Sequence, residues 1–357
     1  MIRPYLPFID WLKALGITLI VYGHVTGAWP LVSLPPVYGK QLGVALFVFA
    51  TGYSLAGETR PRWYVVFRRL FELYLFGLGM AIVLSVFVYI KKGVINKSNY
   101  LPFLAGANVV FDFFPANPTT WYVGMYTHLL LLWAVVLRRF RVTWLILLLV
   151  AVVEVVVRAV LIEAAGGYVA YMTISNWMTV LLLGMYYAQR RVTRGCVPPP
   201  VALGCLILFL AGWVVIGARV PLDPTFPFMR ISGQSGLVAT LGVSTVVSVL
   251  YATATWLTFS AASHPAPAPV RFLARNTVIV FLVHMPVYYA LLSPLEATVP
   301  DRTLRASIML VVCLPMLAAL SEGVNRLIQP TKLRGVVYLR LWPRNLSAGS
   351  AGSLVGS

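Results

Sequence analysis

Three polar residues that could do chemistry lie in one otherwise apolar stretch near the start of the chain, IDWLKALGITLIVYGHV (9–25). Asp10, Lys13 and His24 supply an acid, an amine and an imidazole. Lys13 and His24 are eleven residues apart, about three helical turns, so both side chains leave one face at roughly 16 Å axial separation. An imidazole can take up a proton near neutral pH, and an ammonium group binds anions as a point charge. This face therefore indicates an anion-binding end and a proton-transfer end.

A purely structural role is the alternative for the same three residues. Asp10 lies three residues before Lys13 and can form an ion pair with it, while His24 could hydrogen-bond a neighbouring helix. Ionisable groups are costly inside a membrane, however, and they usually mark functional sites there. Their common face favours the functional reading.

The elements that must position these residues are membrane helices. The chain has 357 residues, 60% of them hydrophobic and only 11% charged, with a mean hydropathy of +0.85, and this composition is typical of an all-α polytopic membrane protein. Hydrophobic runs predict ten transmembrane helices, at about 8–28, 40–58, 71–90, 119–138, 142–162, 172–189, 200–218, 235–259, 272–293 and 304–327.

Basic residues set the predicted orientation. The net charge is +18, but Lys and Arg recur in the short connections on one side rather than forming a single patch, which argues against nucleic-acid binding. Both termini are therefore expected in the cytoplasm. We expect a transmembrane domain over 1–330 and a cytoplasmic basic tail over 331–357, ending in a disordered Gly/Ser-rich segment. The three cysteines have neither disulfide nor metal spacing, and no metal site is predicted.

Five segments of the sequence resemble, in order, segments of the acyltransferase-3 family of integral membrane acyltransferases. In the first helix this family has an arginine, ten residues and a histidine; His24 matches, and Lys13 stands where the arginine is usual. In the basic segment that opens the third helix, Glu72 and Leu75 replace a usual Arg and Pro. The five segments are DWLKALGITLIVYGH (10–24), LFVFATGYSLAG (46–57) with Thr51-Gly52-Tyr53, FRRLFELYLF (67–76), TTWYVGMYTHLLLLW (119–133) and FLARNTVIVFLVHMPVYYALL (272–292).

The resemblance implies transfer of an acyl group, expected to be acetyl, from cytoplasmic acyl-CoA to a hydroxyl of a glycan or lipid-linked saccharide. His24 is then the catalytic base or a transient acyl carrier, and both roles remain open. Lys13, Arg68 and Arg69 are expected to bind the CoA phosphates, with Asp10 and Tyr53 in support. Acyl-CoA is a substrate here, and no permanently bound cofactor is expected. The resemblance also implies a bacterial cytoplasmic membrane.

Further polar residues are weaker candidates. Trp121, His128 and Asp112, in or beside the outer connection 91–118, could bind the acceptor, because polar groups beside aromatic rings suit carbohydrate. His284 is a possible second site residue or a helix–helix contact. Glu154 and Arg158, four residues apart, predict a structural ion pair.

Two other functions compete with the enzyme. Asp10, Lys13 and His24 could line the pathway of a transporter or flippase, although no paired discontinuous helices or repeats indicate one. A non-catalytic relative is also compatible with Lys13, Glu72 and Leu75, which depart from the family pattern.

Overall fold

The computed structural model describes residues 5–25, 38–93, 100–111, 118–193, 195–217, 229–262 and 264–341, with isolated positions 219, 220, 222, 223 and 227 between the last gaps. These residues are almost entirely helical, with one isolated antiparallel bridge between Leu222 and Ile231. The helices are α1 Pro7–Val25, α2 Gly39–Ala56, α3 Arg62–Lys92, α4 Tyr100–Leu104, α5 Asn108–Phe111, α6 Trp121–Val135, α7 Trp144–Ala165, α8 Gly167–Met172, α9 Met178–Gln189, α10 Pro199–Gly217, α11 Leu237–Ala261, α12 Ala268–Thr298, α13 Arg302–Ile328 and α14 Pro330–Leu341.

Five segments are long and apolar enough to cross a membrane: Arg62–Ile90, Trp144–Ala165, Leu237–Ala261, Ala268–Thr298 and Thr303–Leu341. On α7, one of these helices, large apolar side chains cover the outer surface: Leu145, Leu148, Leu149 and Val152 are all more than half exposed. Such a continuous apolar surface is suited to lipid. The all-α class and the membrane helices are thus confirmed, while the count of ten spans and the cytoplasmic termini stay predictions.

Each of the ten predicted segments overlaps a helix, but several boundaries differ. Helix α3 begins at Arg62 rather than near 71, because the helix continues through basic residues that hydropathy excludes. The segment predicted at 172–189 contains a break, where α8 ends and a 3-10 turn over Ile174–Asn176 precedes α9. The long connection between α3 and α6 carries the short helices α4 and α5, which pack against α6.

The helices around α2 pack at very short distances. A Cβ atom at Gly43 would overlap the carbonyl oxygen of Gly16 on α1, and one at Gly52 would overlap the carbonyl oxygen of Leu181 on α9. Glycine is therefore required where the backbones approach. The contact with α9 explains the glycine of the Thr51-Gly52-Tyr53 element. The contact between Gly43 and Gly16 fixes α1 against α2.

A buried ion pair joins three other helices. The predicted pair of Glu154 and Arg158 on α7 is confirmed, and both side chains are excluded from solvent. Arg158 also donates to the carbonyl and hydroxyl groups of Ser244 and to the hydroxyl of Ser248, both on α11. The Glu154 carboxylate accepts from the backbone N–H of Thr179 on α9, at 2.8 Å. Its hydrogen bonds make the pair a structural link rather than part of a solvent-accessible site.

Loss of Arg158 should destabilise the protein strongly. We expect Arg158→Met to lower the free energy of unfolding by about 3–5 kcal/mol, because it leaves the Glu154 carboxylate buried without its counter-charge. Adding Glu154→Leu should recover part of this loss. Chemical denaturation in detergent micelles would measure both variants.

The pair of Glu163 and Arg230, whose side chains are 30% and 43% exposed, provides a matched control. Glu163→Gln should cost less than about 1 kcal/mol, since exposed pairs contribute little. Equal losses at the two pairs would contradict the structural role of the buried one.

Candidate functional site

One cavity of about 320 Å³ lies among α1, α2, α3, α6, α12 and α14. This volume falls in the range of small-molecule sites. The cavity brings together the three cations predicted to bind CoA, which come from two helices: Lys13 from α1, and Arg68 and Arg69 from α3. Its remaining charged lining residues are Glu72 and Arg334. The cavity therefore carries an excess of positive charge, which suits an anionic ligand.

Lys13 has no ion-pair or hydrogen-bond partner among the described residues. The Asp10 carboxylate, a possible partner from the sequence, instead accepts a hydrogen bond from the Tyr5 hydroxyl at 2.6 Å. An ammonium group largely withdrawn from water without a hydrogen-bonded partner is unfavourable. Lys13 is thus available to an anion that enters the cavity.

The two arginines on α3 are held differently. Arg69 donates from Nη1 to the Tyr126 hydroxyl on α6, at 3.0 Å, and its buried Nε has no hydrogen-bond partner in the part of the chain that the structure describes. Arg68 lies 3.5 Å from the Glu58 carboxylate, which also binds Arg60. Arg69 therefore retains a buried donor for a ligand, whereas Arg68 is partly neutralised.

The two histidines predicted separately lie side by side. The rings of His24 on α1 and His284 on α12 have centroids 5.0 Å apart and an interplanar angle of 46°. His284 is buried, with Nδ1 2.6 Å from the carbonyl oxygen of Phe281. Since a carbonyl oxygen only accepts, we assign the hydrogen to Nδ1, and Nε2 is then an acceptor. No described group bonds that Nε2, so the pair offers a free imidazole lone pair.

An aromatic wall connects the cavity with the histidine pair. Phe281 lines the cavity, and its ring centroid is 5.7 Å from that of His284. Tyr122, another lining residue, lies 4.9 Å from Phe281 and stacks on Tyr126 at 5.6 Å. The cations and the imidazoles are therefore at opposite ends of one aromatic-lined region, with a single ring between the cavity and His284.

The other predicted residues lie elsewhere. The Tyr53 hydroxyl donates to the Val192 carbonyl at 3.0 Å, and its ring packs on Phe8. Tyr53 and Asp10 together line a second cavity of about 300 Å³. Trp121 packs against Tyr171 and Tyr122, at 4.9 and 5.8 Å.

His128 follows Tyr126 by two residues on α6, so it faces roughly the opposite side of that helix from the cavity. It interacts with the backbone of Gly106. Asp112 lies outside the described residues. The structure does not bring His128 into contact with the cavity residues.

Four residues of this region were not predicted from the sequence to belong to the site. Tyr126 and Phe281 look like ordinary core aromatics, and Arg334 looks like part of a basic tail. Lys40, the first residue of the hydrophobic run predicted over 40–58, was not singled out as a site residue. It lies in the first turn of α2 and is close enough to interact electrostatically with both imidazoles. Only Lys40 carried a usable signal, since a lysine at the end of an apolar run can lie inside the helix.

The family model described as an acyltransferase domain, Acyl_transf_3, matches residues 6–321 of the 357-residue chain. The match includes both histidines and every cavity residue except Arg334. The chain matches no curated protein and no solved structure.

Replacement of Tyr126 tests how Arg69 is held. Tyr126→Phe removes the hydroxyl acceptor and should lower the free energy of unfolding by about 1–3 kcal/mol, because a buried guanidinium loses its partner. Tyr122→Phe is the matched control, since no described group hydrogen-bonds the Tyr122 hydroxyl. Denaturation of both variants in detergent would measure the difference. Equal stability of the two would show that Tyr126 does not hold Arg69.

Proposed function

Since the chain belongs to the acyltransferase-3 family and is a membrane acyltransferase in the general sense, we propose that it transfers an acetyl group from cytoplasmic acetyl-CoA to a hydroxyl of a glycan or lipid-linked saccharide. The observation that carries this proposal is the cavity where Lys13, Arg68 and Arg69 converge. Three cations around one cavity, one of them without an ion-pair or hydrogen-bond partner among the described residues, favour a polyanionic donor such as CoA.

The cavity suits the two chemically different parts of acyl-CoA. The phosphates would bind Lys13 and the α3 arginines by charge-assisted hydrogen bonds. The pantetheine arm would extend along the wall formed by Phe47, Tyr122 and Phe281. Lys13 and His24 are separated by about 16 Å along α1, a distance that an extended arm can span, so the thioester would approach the histidine pair.

His24 would act as the general base. Its imidazole would accept the proton of the acceptor hydroxyl while the oxygen attacks the thioester carbonyl carbon. Collapse of the tetrahedral intermediate would break the carbon–sulfur bond, and the imidazolium would return the proton to the CoA thiolate. The ester and free CoA would be the products, with no proton left over.

His284 would support His24 from α12. With its hydrogen on Nδ1 directed at Phe281, it can present Nε2 to an imidazolium and stabilise the positive charge that develops on the neighbouring ring. Trp121, close to Tyr122, is the described candidate that could contact the acceptor, since aromatic rings pack well against sugars. The expected location is a bacterial cytoplasmic membrane.

Acceptor-dependent CoA release from acetyl-CoA tests the proposal. In membranes supplied with a native glycan extract, His24→Ala should reduce release by about 100-fold or more, the usual effect of losing a general base. His264→Ala is the control, because that side chain is exposed in the inner connection. Normal release by His24→Ala, at matched expression and unfolding temperature, would contradict the base role. Labelled acetyl retained on purified wild type but not on His24→Ala would identify a carrier instead.

Lys13 variants test the donor end separately. Lys13→Gln should raise KM for acetyl-CoA by about tenfold or more, with a smaller effect on kcat, because it removes a phosphate contact remote from the thioester. Lys13→Arg keeps the charge and should retain most of the affinity. Steady-state kinetics of CoA release would measure both. An unchanged KM in Lys13→Gln would exclude Lys13 from donor binding.

A further inference from the structure

The inner end of the cavity is completed by α14, which follows the region matched by the family. Gln329 ends α13 with a positive φ of 48°, and the N–H groups of Lys332 and Leu333 bond its carbonyl oxygen. This left-handed residue turns the chain, and Pro330, which is buried, begins α14. The helix thereby folds back towards α3 instead of continuing α13.

Aromatic contacts hold α14 on α3. The Tyr338 ring lies 4.8 Å from Tyr64 in an edge arrangement and 5.7 Å from Phe67. Such aromatic pairs add to the energy of simple burial. Arg334 is one helical turn before Tyr338, so both side chains leave α14 on the same side. The contact with α3 consequently directs Arg334 into the cavity.

The Arg334 guanidinium lines the cavity with only part of its hydrogen-bonding capacity occupied. Its Nη1 donates to the Glu72 carboxylate on α3 at 2.8 Å, and the two side chains are 16% and 30% exposed. Both residues line the same space as Lys13, Arg68 and Arg69. Only one of the five N–H groups of the guanidinium is used in this contact, so the planar fork keeps donors for a second anion.

We propose that Arg334 is a donor-binding residue that grips a phosphate of the nucleotide half of CoA, and that Glu72 both positions it and opposes that phosphate. This inference rests on the proposed function. Glu72 lies one turn after Arg69 on α3 and is close enough to Lys13 to interact electrostatically with it. Glu72 and Arg334, which bonds it, therefore lie at the Lys13 end of the cavity, and Lys13 is about 16 Å along α1 from His24. A thioester near His24 would therefore leave the nucleotide end beside Arg334.

Loss of the Arg334 charge and loss of the Glu72 charge should change the affinity for the donor in opposite directions. Removing the Arg334 charge leaves Glu72 facing the phosphates without a partner, so donor affinity should fall. Glu72→Gln keeps an oxygen that accepts from Arg334 but removes the negative charge, so affinity should rise. In the double variant, Glu72→Gln with Arg334→Gln, the cavity has the wild-type net charge. Any loss of CoA affinity that remains relative to wild type therefore measures the direct contact of Arg334 with the phosphate.

Binding of three probes to the purified full-length protein tests the proposal. Isothermal titration in detergent would use CoA, dephospho-CoA, which lacks the 3′-phosphate, and 4′-phosphopantetheine, which lacks the nucleotide. We expect Arg334→Gln to weaken CoA binding by about tenfold or more, Arg334→Lys by less, and Glu72→Gln to strengthen it severalfold. Binding of 4′-phosphopantetheine should change little. If Arg334 contacts the 3′-phosphate, binding of dephospho-CoA should also be insensitive to the substitution. If it contacts the 5′-phosphate of the adenosine, dephospho-CoA should lose affinity as CoA does.

Arg340→Gln is the matched control, because it removes the same charge from an exposed position on α14 that does not line the cavity. Arg334→Lys keeps the charge and provides a second test in case Arg334→Gln does not fold. Unfolding temperatures would be compared for all variants. Wild type that binds CoA, with Arg334→Gln no weaker than Arg340→Gln, would overturn this inference and leave the proposed function standing. Wild type that binds none of the probes would overturn the CoA donor itself and the role of Arg334 with it.

Discussion

The constraint on which the site depends is the cost of holding cations inside an apolar helix bundle. Lys13 lies on a helix packed closely against α2 and has no ion-pair or hydrogen-bond partner among the described residues. Within the same part of the chain, Arg69 keeps a buried N–H without an acceptor. In a medium of low polarity such groups are tolerated where a partner restores their interactions. Arg158 shows the structural solution, a buried carboxylate within the same chain. The cavity shows the other solution, a space that an anionic ligand can fill.

Close contacts hold the helices beside and behind this space in fixed positions relative to one another. Glycine contacts fix α1 to α2 and α2 to α9, and the ion pair of Glu154 and Arg158 ties α7 to α9 and α11. Helix α1 then acts as a rigid axis, with its cation at one end and its imidazole about three turns away. The ring of Phe281 separates these ends, so the proposed binding of the donor phosphates and the proposed proton transfer would take place in different environments.

The sequence predicts contacts between residues that are close together along the chain better than contacts between distant residues. The face shared by Lys13 and His24 follows from helical periodicity, and the ion pair of Glu154 and Arg158 follows from its four-residue spacing. The serines that complete that pair lie about ninety residues away along the chain, and no local pattern points to them. The contact between His24 and His284 likewise depends on how α1 and α12 pack. Hydropathy also misplaced the start of α3, because a helix can extend through Arg68 and Arg69 while leaving the apolar region.

Glu72 shows how a local departure is explained by a distant residue. Taken alone, an acidic side chain where the family usually has an arginine argues against a phosphate site on α3. In the structure this carboxylate meets Arg334, which is 262 positions away in the sequence and comes from a helix outside the matched region. The two charges cancel, so the positive charge of Lys13 and Arg69 still dominates the cavity. The substitution on α3 and the cation on α14 are therefore best understood as one unit, in which the guanidinium that lines the cavity comes from α14 rather than from α3.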